Sequence, residues 1–241
     1  MLKPLKRVIW DYFGINKAQL TTLTRSNEIL KAITFNSTIA DCEWLKYRNF
    51  SPGRHAVDYA FLYTLFRVLE GMKPKSVIEF GLGESSKLIQ QYAYFHHVEA
   101  VTVEHDPDWI RFFSNNTAGK YPVEIKLMEL AKIKYKNKET LSYKNIEEEL
   151  KGKQYDLIVI DGPFGSKRYS RPQILFMAKN NLQKEFCILV DDYVRKGERE
   201  TVKELLHILN QEGIKYVTKA YAGSKQHFLI CSENLKFLTT L

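Results

Sequence analysis

Only three cysteines occur in the 241 residues, Cys42, Cys187 and Cys231, and they show neither metal-ligand spacing nor a disulfide framework. Cys187 and Cys231 sit inside apolar runs and are expected to be buried thiols. No run approaches the roughly 18 apolar residues of a spanning helix, and Asp11 interrupts the apolar stretch that follows Met1, so neither a signal peptide nor a membrane anchor is expected. Together these absences predict a cytoplasmic protein. Internal repeats and low-complexity linkers are also missing, which excludes a solenoid. With 44% hydrophobic and 27% charged residues the chain has the composition to fold around a core. Thirty-six basic residues against 28 acidic leave a net charge of +8. The cations alternate with acids and no recognisable RNA-binding module precedes the patterned part of the chain, so nucleic acid is not the expected partner.

What is present is an alternation of strand and helix from about residue 76 onward. Ser76-Val-Ile-Glu-Phe80 reads as a strand, Ser85 to Phe95 as a helix, Ala100 to Glu104 as a second strand, Pro107 to Asn115 as a helix and Val123 to Leu127 as a third strand. Tyr155 to Ile160 and Phe186 to Val190 are near-continuous apolar runs, as strands buried on both faces should be. Residues 131–153, rich in lysine and glutamate, are expected to carry a solvated helix around Tyr143 to Leu150. After a helix from Glu198 to Gln211, two strand-like runs, Lys215 to Ala220 and His227 to Cys231, are separated by Tyr-Ala-Gly-Ser-Lys, a hairpin turn that makes the last strand antiparallel. Ahead of this core, Ser51-Pro-Gly53 punctuates the chain and His55 to Leu69 has helical spacing. The division expected is an N-terminal helical extension over 1–70 and a core domain over 71–241, with Trp10 and Trp44 as core aromatics.

Gly81 and Gly83 fall between the first strand and its helix, where glycine lets the backbone turn sharply and approach a ligand. The third glycine of a dinucleotide fingerprint is missing; Ser86 stands there. Glu79, two residues before the first glycine, would repel a pyrophosphate but suits a cationic ligand. Glu104 ends the second strand about 25 residues later, the range expected for an acid that binds both hydroxyls of a ribose.

Three segments, Phe80-Gly-Leu-Gly-x-x-Ser86, Val103-Glu-His-Asp-x-x-Trp-Ile110 and Asp161-Gly-Pro-x-Gly165, together resemble the class I S-adenosylmethionine-dependent methyltransferases, and within them the glucuronoxylan-type polysaccharide O-methyltransferases. The resemblance extends over roughly residues 76 to 206 and takes in Asp191-Asp-Tyr-Val-Arg195 with Glu198. It fails at Asp192 and in the first 50 residues. It implies an α/β, Rossmann-like fold with a mostly parallel seven-stranded sheet ending in an antiparallel hairpin. It also implies S-adenosylmethionine as cofactor, held by Glu79, Phe80, Gly81, Gly83, Ser85, Ser86, Glu104 and Asp161.

A hydroxyl acceptor must lose its proton as it attacks, and Asp161, with His105 as the second candidate, is the expected general base. Asp161, Asp191 and Asp192 end adjacent strands and offer oxygen ligands for magnesium or manganese, as in catechol-type O-methyltransferases. Lys167, Arg168 and Arg171 follow one strand and Arg195, Lys196 and Arg199 the next, a set of cations suited to an anionic acceptor. Of these, Lys167, Arg168, Arg171 and Arg195 are the expected acceptor contacts. The function these readings favour is O-methylation of an anionic sugar or polysaccharide precursor. A metal-dependent small-molecule O-methyltransferase and an RNA methyltransferase are the alternatives, the latter opposed by the lack of an Asn-Pro-Pro-Tyr type motif and of a catalytic cysteine motif. An NAD-dependent oxidoreductase is opposed by Glu79 and the terminal hairpin.

Overall fold

The computed structural model describes residues 5, 7–9, 11, 14, 17–53, 56–118, 121 and 123–240. Trp10, expected in the core, and His55, the expected helix start, lie outside them.

Nine strands are described: β1 (Ser76–Phe80), β2 (Glu99–Glu104), β3 (Glu124–Leu127), β4 (Leu130–Tyr135), β5 (Lys138–Tyr143), β6 (Tyr155–Ile160), β7 (Leu182–Val190), β8 (Tyr216–Ala222) and β9 (Gln226–Ser232). The helices are α1 (Lys17–Thr38), α2 (Tyr59–Met72), α3 (Glu84–His96), α4 (Pro107–Phe113), α5 (Ile146–Glu149), α6 (Gln173–Asn180) and α7 (Lys196–Gln211), with a terminal 3-10 segment at Glu233–Thr240. Seven strands form one sheet in the order β3-β2-β1-β6-β7-β9-β8. β1, β2, β3, β6 and β7 run parallel, and β9 is antiparallel to both β7 and β8. This is the Rossmann-like arrangement with a closing hairpin. The chain builds outward from β1 through β2 to β3 and then returns to β6 on the other side of β1. That reversal opens a crevice beyond the carboxyl ends of β1 and β6.

Strand alternation sorts the core into two layers. Val77, Leu157, Val159, Cys187, Leu189, Leu229 and Cys231 pack against α2 and α3, while Ile78, Phe80, Ile158, Ile160, Ile188 and Val190 pack against α6 and α7. Cys187 and Cys231 lie opposite each other across β7 and β9 as buried free thiols, as expected. α2 belongs to the first layer. Phe61, Leu62, Leu65 and Leu69 join the same cluster as Val77 and Leu157, and Trp44 and the end of α1 (Phe35, Ile39) cover them. The core therefore runs through residue 70 without a break.

Residues 131–153 hold a hairpin that was not expected, ahead of the helix expected around Tyr143 to Leu150, which is shorter and buried rather than solvated. Lys136 and Asn137 both take positive φ (45° and 60°), the backbone a two-residue hairpin turn demands, and β4 pairs antiparallel with β5. Only Ile146–Glu149 is helical, and Tyr143, Ile146 and Leu150 are buried in the second layer. The hairpin leans on the segment after β6, where Thr140 Oγ1 donates to Tyr169 O and Leu141 N to Ser166 Oγ.

Candidate active site

The register aligns Phe80 with Val103 and Ile160, and Ile160 with Val190, so Gly81, Glu104, Asp161 and Asp191 emerge in one row at the carboxyl edge. Gly81 turns the chain at φ +97°, and a Cβ there would lie 2.7 Å from Gly162 N. The clash is reciprocal, since a Cβ on Gly162 would lie 2.7 Å from Gly81 Cα. The turns after β1 and β6 thus pack backbone on backbone, tied by Asp161 N and Gly162 N to Phe80 O. Gly83 is different: nothing lies within 4 Å of a Cβ built on it, so the turn is open on that side.

Glu104 is buried beside the open side. Its Oε2 accepts from Leu82 N (2.9 Å) and its Oε1 from the amides of His105 (2.6 Å) and Asp106 (3.0 Å). These bonds pin the carboxylate and take three of its four or so acceptor positions, leaving one on Oε2. Trp109 Nε1 donates to Leu82 O (2.7 Å), fixing an indole at the lip of the turn.

Glu79 lies underneath. Fully buried, it accepts from Ser85 Oγ (2.5 Å), Ser86 Oγ (2.6 Å) and Thr102 Oγ1 (3.0 Å). Burial pushes its carboxyl up to about 7, against the pull of those three hydroxyls. Ser85 and Ser86 are themselves buried and serve Glu79, and Phe80 packs on Tyr143 with its carbonyl taken by the turn after β6. These four build the floor, while Gly81, Gly83, Glu104 and Asp161 border the opening.

On the other side of the crevice Asp161, Asp191 and Asp192 have carboxylate oxygens within 4.8 Å of one another. Three cations are interleaved with them. Arg171 Nη2 lies 3.1 Å from Asp192 Oδ2 and 3.6 Å from Asp161 Oδ1; Arg195 Nη1 lies 2.7 Å from Asp192 Oδ2. Lys225 Nζ lies 3.5 Å from Asp191 Oδ2 and 3.8 Å from Asp192 Oδ1. Burial, reinforced by the two neighbouring aspartates, holds the Asp191 carboxyl well above the usual carboxylate range. Asp161 is raised in the same direction, again chiefly by burial, with Arg171 opposing. Its side chain is 15% exposed where those of Asp191 and Asp192 are 0% and 6%, so Asp161 is the most exposed of the three. His105 stands across from it, Nδ1 2.7 Å from Glu104 Oε1 but off the hydrogen-bonding direction, with its ring edge-on to exposed Phe164.

The four expected acceptor contacts divide. Arg171 is 3% exposed and spends its guanidinium on Asp192 and on the carbonyls of Pro163, Ile160 and Asp191. Arg168 is paired through Nε with both oxygens of Glu200. Arg171 is thus closed off from the mouth, while Arg168 keeps part of its guanidinium exposed beside its pairing with Glu200. Lys167 is exposed and Arg195 half exposed at the mouth.

Two site residues escape sequence reading. Asp58 caps α2 through Phe61 N (2.8 Å), and its Oδ2 accepts from Lys225 N (2.9 Å), 167 positions away. A polar residue just ahead of an apolar helix is a readable cap signal. Nothing in the turn Gly-Ser-Lys announces that Lys225 returns to the aspartates.

No family model matches the chain, and no curated protein matches it. Among solved structures it is similar to an O-methyltransferase from Bacillus cereus in complex with SAH, at TM-score 0.48 and 12% identity over 86% of this chain and 91% of that one. It is also similar to an SAH-bound methyltransferase from Podospora anserina (0.47, 14%, 91% and 97%). A third is the O-methyltransferase TomG from Streptomyces achromogenes, involved in tomaymycin synthesis and solved with SAM (0.46, 13%, 85% and 89%). At these scores and identities the likeness adds nothing to what the sheet order establishes.

The residues present suit a ligand that brings a hydroxyl to Glu104 and lies along the open turn at Gly83. They do not suit a divalent cation. The space between the three acids is crossed by Arg171 and Lys225, and an ion would have to expel buried positive charge to reach oxygen ligands at 2.0–2.1 Å.

Proposed function

We propose that this protein is an S-adenosylmethionine-dependent O-methyltransferase acting on a hydroxyl of an anionic sugar or polysaccharide precursor. The observation that carries the reading is one row of strand ends. It sets the open glycine turn and Glu104 on one side of the β1/β6 crevice and Asp161, the most exposed of three clustered aspartates, on the other.

Glu104 would hold a ribose hydroxyl, and Gly83 leaves the turn clear for the rest of the nucleoside and the amino-acid tail. When bound, the cofactor supplies an electrophilic methyl on a sulfonium. Asp161 would accept the proton of the acceptor hydroxyl as that oxygen takes the methyl group. A carboxyl raised by burial is the better base for this work, because its pKa moves toward the operating pH. Holding the acceptor in line matters at least as much, and Lys167 and Arg195 at the mouth favour a carboxylate-bearing one. Interleaved Arg171 and Lys225 count against a metal-dependent small-molecule transferase.

Calorimetric titration with S-adenosylmethionine and with NAD, repeated on Glu104→Ala, tests the reading. Binding of the methyl donor alone, weakened at least tenfold in the variant, is expected. Binding of NAD, or of neither, would end it. Uronic-acid acceptors are then assayed with the wild-type protein.

A further inference from the structure

Lys225 reaches the aspartates by construction. Its amide is held by Asp58 Oδ2, its carbonyl by Gly223 N (2.7 Å) and its ammonium by Ala56 O (2.7 Å). Asp58 is wholly buried, so the hairpin turn is anchored to the start of α2 and delivers the ammonium to a set place. Arg171 arrives from the opposite side, from the segment between β6 and α6. Both Arg171 (φ 57°) and its partner Asp192 (φ 59°) sit in the left-handed backbone region, a costly conformation for such residues that the surrounding structure must hold. Each of the three acids is thereby within 4 Å of a protein cation.

We infer that Lys225 and Arg171 stand where a divalent cation would sit among Asp161, Asp191 and Asp192, so that transfer proceeds without a metal and Lys225 is a positioning residue for the base. A lysine ammonium is a compact point charge with three donors, the side chain best able to bridge two carboxylates as an ion would. Asp191 and Asp192 are turned toward Lys225 at 3.5 and 3.8 Å, and Asp161, the most exposed of the three, is left facing the opening. The inference deepens the methyl-transfer reading and concerns the same site, but its test does not depend on that reading.

The experiment is titration of the whole chain with Mn2+, followed by calorimetry and by the electron paramagnetic resonance of free Mn2+, for the wild type, Lys225→Met and Lys225→Arg. S-Adenosylmethionine titration of each protein checks the cofactor site separately, and circular dichroism checks the fold. The wild type and Lys225→Arg are expected to take up no Mn2+ at 1 mM, on the order of weak carboxylate sites. Lys225→Met is expected to bind it at least tenfold more tightly. Saturable Mn2+ binding by the wild type overturns the inference whatever the variants do, even where Lys225→Met fails to fold. A folded Lys225→Met that still takes up no Mn2+ also overturns it, because the acids would then not be a cation site whose ion has been replaced. Loss of cofactor binding with Mn2+ exclusion intact would count against the methyl-transfer reading alone.

Discussion

Gly162 shows how a single hydrogen atom in place of a side chain sets the site. Its backbone and that of Gly81 touch, and the atoms a new Cβ would strike, Gly81 Cα at 2.7 Å and Gly81 N at 2.8 Å, belong to a turn that cannot swing aside. Gly162→Ala is expected to destabilise the protein by about 2–3 kcal/mol through overpacking. In a chain of this size that is a fall in Tm of roughly 5–10 °C, accompanied by weaker cofactor binding. Thermal unfolding checks the first and calorimetry the second; a variant with wild-type Tm would mean the two turns can separate freely. The same scale explains why the pairing of Arg171 could not be read from the chain. Arg171 looks like any arginine in a loop until its five partners are known.

At the level of elements, the closing hairpin and α2 act as one unit through Asp58. Removing that carboxylate deprives Phe61 N of its cap, a loss of about 1 kcal/mol, and strands Lys225 N in a partly buried site, about 1–3 kcal/mol more. Asp58→Ala should therefore raise hydrogen exchange both in the first turn of α2 and at residues 223–226, while β1 and β6 keep their protection. Faster exchange in the helix alone would show that the hairpin is held by something else. The β4–β5 hairpin makes a related point. No strand was expected there, but the two positive-φ residues at its turn make the hairpin, and the ties of Thr140 and Leu141 to the segment after β6 make it a brace for that segment.

For the molecule as a whole, two buried titratable groups pull stability in opposite directions with pH. Glu79 has its pKa raised from 4.5 to about 7 by burial, so the folded state holds its proton more tightly and stability falls as pH rises from about 4.5 through 7. His227, buried against Phe61 and Tyr221 with Nε2 2.9 Å from Thr64 Oγ1, is lowered from 6.5 to about 4 by burial. Its contribution is present above 6.5 and is lost as pH falls through 4. Each amounts to about 3 kcal/mol over its window. Because the windows overlap between about 4.5 and 6.5, the opposing slopes cancel there and urea unfolding across pH 4 to 8 should give a nearly level stability. Glu79→Gln should uncover a stability that rises from about pH 4 to 6.5, and His227→Gln one that falls from about pH 4.5 to 7. A profile as level in Glu79→Gln as in the wild type would show that another group opposes His227.

The strands that position the site were legible residue by residue. Ser76 to Phe80 and Tyr155 to Ile160 match their expected bounds, because continuous apolar runs between turn formers leave few other structures open, and the terminal hairpin follows from its own turn. The acids at strand ends could be read for the same local reason. What the sequence could not supply was which charges cancel. Lys225 meets Asp191, Arg171 meets Asp192 and Asp58 meets Lys225 across spans no periodicity records, and Glu79 turns inward because Ser85, Ser86 and Thr102 offer it hydroxyls there. Periodicity is a property of neighbours along the chain and fixes local geometry. Burial and ion pairing are properties of neighbours in space, and only the folded sheet, with its return from β3 to β6 and its closing hairpin, decides who those neighbours are.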